Sequence, residues 1–456
     1  MKKILIALAI MLAVQVADAQ VKTPEAAKKA LDGAVVASQD AKKATKVATW
    51  LKLATSYMDA YNAPAGSAWI GATKQELSLL MAGEKPSKTE NVVLGSESYT
   101  KETYANKDFY YNPQGQLIMI DVTKPVVADA LEGAREAYAK AFEVDVKQSK
   151  LKDILAGLEN ISKKYLDEGM NKYTLGDYAG ASVLFGKSAN AAATAPLSKV
   201  DTTALYNAGF TAWMVKDYAN AKVYFDKCLA VNYYYEDGEV FAKLADIYSN
   251  TDQKTAARDI LEEGFTKYPQ SQSILIGLIN YYLQSKQDTG RLFELISAAK
   301  SNEPNNASLY YVEGNIYNEL RQAVDANEDG AEAKKQDLLE KAVAAYDECV
   351  KINPEYEFGY IGKGVMYYNV AIEIQDAAAN EMDNAKYEAL VVKMEEALLN
   401  SLKPFESAFN MSKDDSLKLN IAEYLKNIYY RFYSKGAEYE EGYNKYNQIV
   451  KSGQVK

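Results

Sequence analysis

Between Phe241 and Pro269 the chain carries a two-helix pattern that returns along most of its length. Phe241, Leu244, Ala245 and Tyr248 are spaced to share one face of a helix. Ala257, Leu261 and Gly264 share one face of a second, and Pro269 ends the unit. Two short helices of this kind cannot bury their apolar faces against each other alone. They become stable when stacked on further pairs, so the pattern predicts one elongated array rather than several separate cores.

Marker residues trace the other units. Tyr165, Gly169, Gly176, Tyr178, Ala181 and Phe185 form one, with Gly176-Asp177-Tyr178 as the turn between its helices A and B. Leu205, Gly209, Asp217, Tyr218, Ala221, Phe225 and Cys228 form the next. Ile276 to Pro304 reads as a weaker unit. Gly314 and Tyr317 open another, whose helix B arrives only at Ala342, Tyr346, Cys349 and Pro354. Tyr360, Gly364 and Tyr367 open a sixth, with helix B delayed to Ser401, Phe405 and Ala408. The stretches Arg321 to Leu338 and Ala371 to Leu399, charged and rich in alanine, are expected to lengthen helices. Pro404 is expected to kink or restart the second of them, because the residue before proline avoids the α region.

Small residues recur where helices A and B cross: Gly209, Ala245, Gly314 and Gly364 on helix A, opposite Ala221, Ala257 and Ala342 on helix B. A bulky side chain there overpacks, at a cost of about 1–3 kcal/mol. The recurring Tyr, Phe and Leu fill the space between layers, each contributing roughly 1.5–3 kcal/mol by burial.

Ahead of these units, Pro24 to Val36 reads as a lone helix B. Trp50, Leu53, Ala54 and Tyr57 read as a helix A whose partner is Val127 to Val144, where Ala134, Tyr138 and Ala141 hold the spacing. Residues 61–125 form an insertion. Within it, Thr103-Tyr104 and Phe109-Tyr110-Tyr111, the turn Asn112-Pro113-Gln114-Gly115, and Leu117 to Ile120 read as a β-hairpin. A partner-contacting flap and a cover for the terminal apolar face are both open as its role. After Ser416, Tyr424, Leu425, Ile428 and Tyr429 to Phe432, then Tyr439, Tyr443 and Tyr446, read as a degenerate capping pair.

Lys2 and Lys3, the apolar run Ile4 to Val16 and Ala17-Asp18-Ala19 read as a secretory leader over residues 1–19. No later stretch reaches the roughly 20 apolar residues of a membrane-spanning helix. Gln20, not cysteine, follows the cleavage site, so no lipid anchor is expected. The net charge of −10, made slightly more negative by loss of the leader, and the lack of a basic stripe argue against nucleic acid. Cys228 and Cys349 sit where helix B takes a small apolar residue, which favours packing over a disulfide.

The composition contains no histidine. That removes Ser-His and Cys-His nucleophile pairs, the common zinc sites and the usual base near neutral pH. Serine and lysine stand three apart at Ser98 and Lys101, Ser149 and Lys152, and Ser297 and Lys300, but the companion motifs of serine-lysine enzymes are missing. No enzyme, cofactor or metal is expected.

The order W-x2-L-G-x2-Y, then A-x3-F-x2-A, then Pro, resembles the tetratricopeptide repeat (TPR) superfamily. The likeness covers most of the chain beyond the leader, outside the insertion. Lys43 to Tyr57 with its A-T-W segment, and Tyr368 to Tyr430 with I-E-I-Q-D, L-K-P-F-E-S-A-F and L-K-N-I-Y-Y-R, look like exported TPR proteins of Gram-negative bacteria. The resemblance implies an all-α solenoid, a right-handed superhelix of antiparallel helix pairs carrying a small β-hairpin insertion. It implies a concave groove lined by helix A and a protein or peptide ligand there.

Carried onto this sequence, the groove positions are Leu166, Met170 and Tyr173; Tyr206, Phe210, Trp213 and Met214; Asp246 and Asn250; Tyr281; Tyr311, Asn315 and Asn318; and Ile361, Val365, Tyr368 and Asn369. None is Lys or Arg, so a clamp for a C-terminal carboxylate is not expected. In the pairs Tyr281-Tyr282, Tyr310-Tyr311 and Tyr367-Tyr368, adjacent helical positions point in different directions, so one member packs while the other faces the groove. The expected function is a periplasmic or secreted scaffold that holds a protein or peptide. The alternative is a carbohydrate-binding envelope protein that stacks sugars on its aromatic residues.

Overall fold

The computed structural model describes residues 21–81, 83–285, 288–325 and 328–455. The leader read at residues 1–19 lies outside the described residues. The chain begins with α1 (Pro24–Gln39), α2 (Val47–Asn62) and α3 (Lys74–Leu80). Strands β1 (Lys88–Leu94), β2 (Glu97–Thr103), β3 (Lys107–Tyr111) and β4 (Leu117–Val122) follow. Helices then run to the end: α4 (Ala130–Val144), α5 (Leu151–Thr174), α6 (Tyr178–Ala193), α7 (Thr202–Met214), α8 (Tyr218–Ala230), α9 (Glu239–Asn250), α10 (Lys254–Lys267), α11 (Gln272–Ser285) and α12 (Thr289–Asn302), then α13 (Ala307–Gln322), α14 (Ala331–Ile352), α15 (Glu357–Ala379), α16 (Asn384–Met411), α17 (Asp415–Arg431) and α18 (Ala437–Ser452).

Two compact units divide the chain. One runs to Glu236 and takes in Asp246–Asp252; the other holds Asp237–Ala245 and continues from Gln253. In the first, α5 packs on α6, α6 on α7 and α7 on α8, with α1, α2 and α4 stacked ahead of them. In the second, successive helices from α10 to α18 pack each on the next. Short connections make these neighbours antiparallel. The fold is all-α, of TPR-type helix pairs, with one small β-sheet insertion.

Side-chain caps set several boundaries. Asp177, Asp201, Asp217, Asp288, Asp383 and Asp414 each accept a backbone N–H of the first turn of the helix they precede. Each satisfies a donor that the helix cannot satisfy itself, worth about 1 kcal/mol.

The small residues of helix A make room for something more specific than a small partner. A Cβ on Gly169 would stand 2.6 Å from the Phe185 ring, on Gly314 2.7 Å from Tyr346, on Gly364 2.9 Å from Phe405, and on Gly209 3.0 Å from Phe225. Each ring lies four residues after a buried small residue of helix B: Ala181, Ala342, Ser401 and Ala221. The small residue brings the backbones together, and the next turn places a ring across the glycine. Cys228 and Cys349 are free and fully buried.

The insertion is larger than a hairpin. The strands form a four-stranded antiparallel meander, β1-β2-β3-β4. The β3–β4 hairpin stands at the expected place, but Thr103 belongs to β2, a separate strand, and Tyr104 lies in the connection to β3. β1 and β2 carry polar residues on both faces and bury none of them, so they lack the alternation that signals a strand. Ala72, Leu77, Met81, Phe109, Tyr111 and Leu117 form the core between α3 and the sheet. The outer edge of β4 is occupied. The Gly71 N–H donates to the Leu117 carbonyl at 2.7 Å, and farther along Lys172 of α5 pairs with Asp121 at 3.3 Å.

Both lengthened segments differ in detail from the sequence reading. Residues 323–325 and 328–330 lie outside helix, and α14 starts at Ala331. α16 runs unbroken through Pro404, so the expected restart does not occur. Ser401 and Pro404 to Phe405 are buried on both sides of the missing N–H, which holds the helix together where the backbone alone would interrupt it.

Candidate partner-binding face

The first unit gathers four of the sequence-derived positions into one cluster. On α7, Tyr206, Phe210 and Trp213 follow one another along a face, with centroids 6.0 Å apart for the first two and 5.8 Å for the second two. The Trp213 indole N–H donates to the Asp246 Oδ2 at 2.6 Å. Phe210, Trp213 and Asp246 are each half-buried.

Tyr206 has another role. It is 5% exposed, and Tyr235 lies flat on it with centroids 3.9 Å apart and planes 17° from parallel. Tyr235 comes from the connection after α8, whose Asn232, Tyr235 and Glu236 have φ of 56°, 53° and 42°. Non-glycine residues in this left-handed region cost roughly 1 kcal/mol or more each. That strain is offset by a run of rings: Tyr233 and Tyr235 lie 6.3 Å apart, and Tyr206 also meets Phe225. Tyr235 was not among the sequence-derived positions. The run Tyr233-Tyr234-Tyr235 between two helices was its visible signal.

The neighbouring positions are less available. Leu166, Met170 and Tyr173 pack around Ala181, Phe185 and Ala208. Met214 is half-buried at the end of α7 and Asn250 is exposed, its Nδ2 donating to the Asp246 carbonyl at 2.8 Å.

In the second unit, packing claims most of the positions. Tyr282 is buried and its hydroxyl donates to Glu262 at 3.0 Å, while Tyr281 stays half-exposed, with its ring at right angles to that of Tyr282. Tyr311 meets Tyr346, Tyr356 and Phe358. Asn315 accepts the Tyr346 hydroxyl at 2.7 Å. The Asn318 Oδ1 is buried without a hydrogen-bond partner. Ile361, Val365 and Tyr368 pack on the core of α16 and α17, and Asn369 is half-buried. Tyr367 packs on Ala342, Tyr346 and Met366, so both members of the pair Tyr367-Tyr368 serve packing, each toward a different layer.

The first unit also holds an open cleft of about 790 Å³ between α1 and the sheet, lined by Thr23, Lys28, Tyr104, Asn106 and Lys124 among others. Nothing in the repeat pattern signals it. Among the described residues no helix is long and apolar enough to cross a membrane, and no three Cys, Asp or Glu side chains converge to hold a metal ion.

No family model matches the chain, and no curated protein matches it. Solved structures that resemble it include a TPR repeats protein from Bacteroides fragilis, 17% identical over 59% of this chain and 97% of that one, with a TM-score of 0.28. A tetratricopeptide repeat protein from Parabacteroides merdae is 11% identical over 58% of this chain and 98% of that one, with a TM-score of 0.36. YrrB, described as a TPR protein with an unusual peptide-binding site, is 18% identical over 49% and 96%, with a TM-score of 0.31.

Proposed function

We propose that the protein is an exported, non-enzymatic scaffold that binds a protein or peptide segment on the α7 face, with Phe210 and Trp213 as the apolar platform and Asp246 as the polar anchor. The observation that carries this reading is the Trp213–Asp246 hydrogen bond. It fixes an indole ring and a carboxylate side by side on two residues that are each only half-buried. Aromatic rings with a polar tip combine large apolar area with low ordering cost, which is why they dominate binding surfaces. The carboxylate adds a requirement for a hydrogen-bond donor or a cation on the ligand. The leader read at residues 1–19 supports export, and the lack of histidine supports a non-enzymatic role.

Crosslinking in intact cells followed by mass spectrometry identifies the partner. Binding of that partner to purified protein is then compared with binding to Trp213→Ala and Asp246→Ala. Wild-type affinity in both variants overturns the assignment of this face. A glycan array run in parallel tests the carbohydrate alternative: a reproducible sugar hit that is lost in Trp213→Ala, with no protein partner, reverses the preference.

A further inference from the structure

Helix α16 buries one face, and its opposite face carries an exposed row of small and apolar residues interrupted by Glu396. Its inner face, which includes Met394, Ala397, Leu398, Ser401 and Phe405, is buried against α15 and α17. On the far side, Ala385, Ala389, Val392, Glu396 and Leu399 succeed one another in alternating steps of four and three residues, and all are exposed. Val392 is 64% and Leu399 41% exposed, and Met382, in the connection just before the helix, is 97% exposed. Lys403 and Glu406 occupy the next places, so the apolar row ends at Leu399. Steps of four and three produce the seam through which two helices pack in a coiled coil.

The charges beside the seam indicate what covers it. Lys386 and Lys393 flank one side without an ion-pair partner among the described residues. Glu388 flanks the other side, where Glu395 is already held by Arg431 at 3.1 Å and Lys435 at 2.5 Å.

We propose that this seam docks on the same seam of a second copy of the chain, antiparallel about a two-fold axis. Ala389 then faces Val392 of the second copy, Ala385 faces the stem of its Glu396, and Leu399 reaches the connection that carries its Met382, so small residues oppose large ones. Glu396 comes to lie between its own Lys393 and Lys386 of the second copy, while Glu388 approaches Arg431 and Lys435 of the second copy. A parallel arrangement instead stacks Glu396 on Glu396 inside the seam. The same patch on both subunits makes the contact self-complementary and closed. Because α15 already holds α16 in place, docking orders little new structure. From Ala385 to Leu399 the seam is about 21 Å long. It falls short of the roughly 800 Å² per partner of a stable interface, so the dimer is weak and reversible.

Sedimentation velocity of the purified protein from about 1 μM to about 1 mM shows a concentration-dependent dimer. Val392→Glu raises the dissociation constant at least about tenfold and leaves the circular dichroism spectrum unchanged, since the side chain touches solvent in the monomer. In a mixture of Ala389→Cys and Val392→Cys chains under mild oxidation, the mixed crosslink forms faster than either like-with-like product. A monomer at every concentration, a Val392→Glu dimer as tight as the original, or predominance of the like-with-like products overturns the proposal.

Discussion

Trp213 and Asp246 lie on different helices, and the indole N–H of one reaches the carboxylate of the other at 2.6 Å. The contact fixes the ring plane of Trp213 and the direction of a carboxylate that is only half-buried. Trp213→Phe keeps most of the apolar area and removes the donor. The expected loss of stability is about 0.5–1.5 kcal/mol, because water replaces the lost partner in part. The shift in a chemical denaturation midpoint measures it. Partner affinity falls in the same variant if Asp246 must be held in that orientation.

Gly314 and Gly33 make opposite predictions from the same substitution. A Cβ on Gly314 meets the Tyr346 ring at 2.7 Å, and that ring is buried, so Gly314→Ala destabilises by about 1–3 kcal/mol. Gly33 is an exposed residue of α1 with nothing within 4 Å of a Cβ, so Gly33→Ala stabilises by roughly 0.5–1 kcal/mol through helix propensity. Gly209→Ala falls between the two, since its nearest approach is 3.0 Å. Thermal melts of the three variants should rank in that order.

Arg321 is 3% exposed, donates both terminal nitrogens to Glu373 at 2.8 Å, and has a buried Nε with no partner. Glu373 is partly open to water. Removing the acid leaves a buried guanidinium uncompensated, whereas replacing the arginine leaves a carboxylate that water can reach. Glu373→Ala is therefore expected to destabilise by about 1–3 kcal/mol, more than Arg321→Met, which fills the site with apolar volume. Comparing the denaturation midpoints of the two variants decides the order.

Burial pushes the Cys228 thiol up to about 12 and the Cys349 thiol up to about 11, from the ordinary 9.0. Both thiols stay protonated in the fold at pH values where the unfolded chain begins to ionise them. Their contribution to stability is full below about pH 9 and is lost as the pH rises from there toward the folded values. At pH 8 a thiol reagent should leave both cysteines unmodified in the native protein and modify both after denaturation. Rapid labelling under native conditions contradicts the burial.

The helix pairs were legible in the sequence because their signals are local. Gly176-Asp177-Tyr178 marks a turn whatever surrounds it, and in the structure Asp177 caps α6. Ala181 and Phe185 stand one turn apart, so they share a helix face. The insertion was only half legible: β3 and β4 carry the apolar residues that build a core, whereas β1 and β2 gain their place by backbone pairing to a neighbouring strand. Such pairing leaves little trace in side-chain chemistry.

The candidate positions lie on α5, α7, α9, α11, α13 and α15, and their exposure was not readable in the sequence. Tyr206, Phe210 and Trp213 look equivalent in sequence; Tyr235 arrives from another segment and seals the first, leaving the other two partly open. Sequence alone determined the repeating helix pairs, the glycines at their crossings and the turn between paired helices, since each follows from spacing within a few residues. Tertiary structure decided which rings pack and which face water, and it brought Asp246 to Trp213. Burial depends on what arrives from elsewhere in the chain, and no local pattern records that arrival.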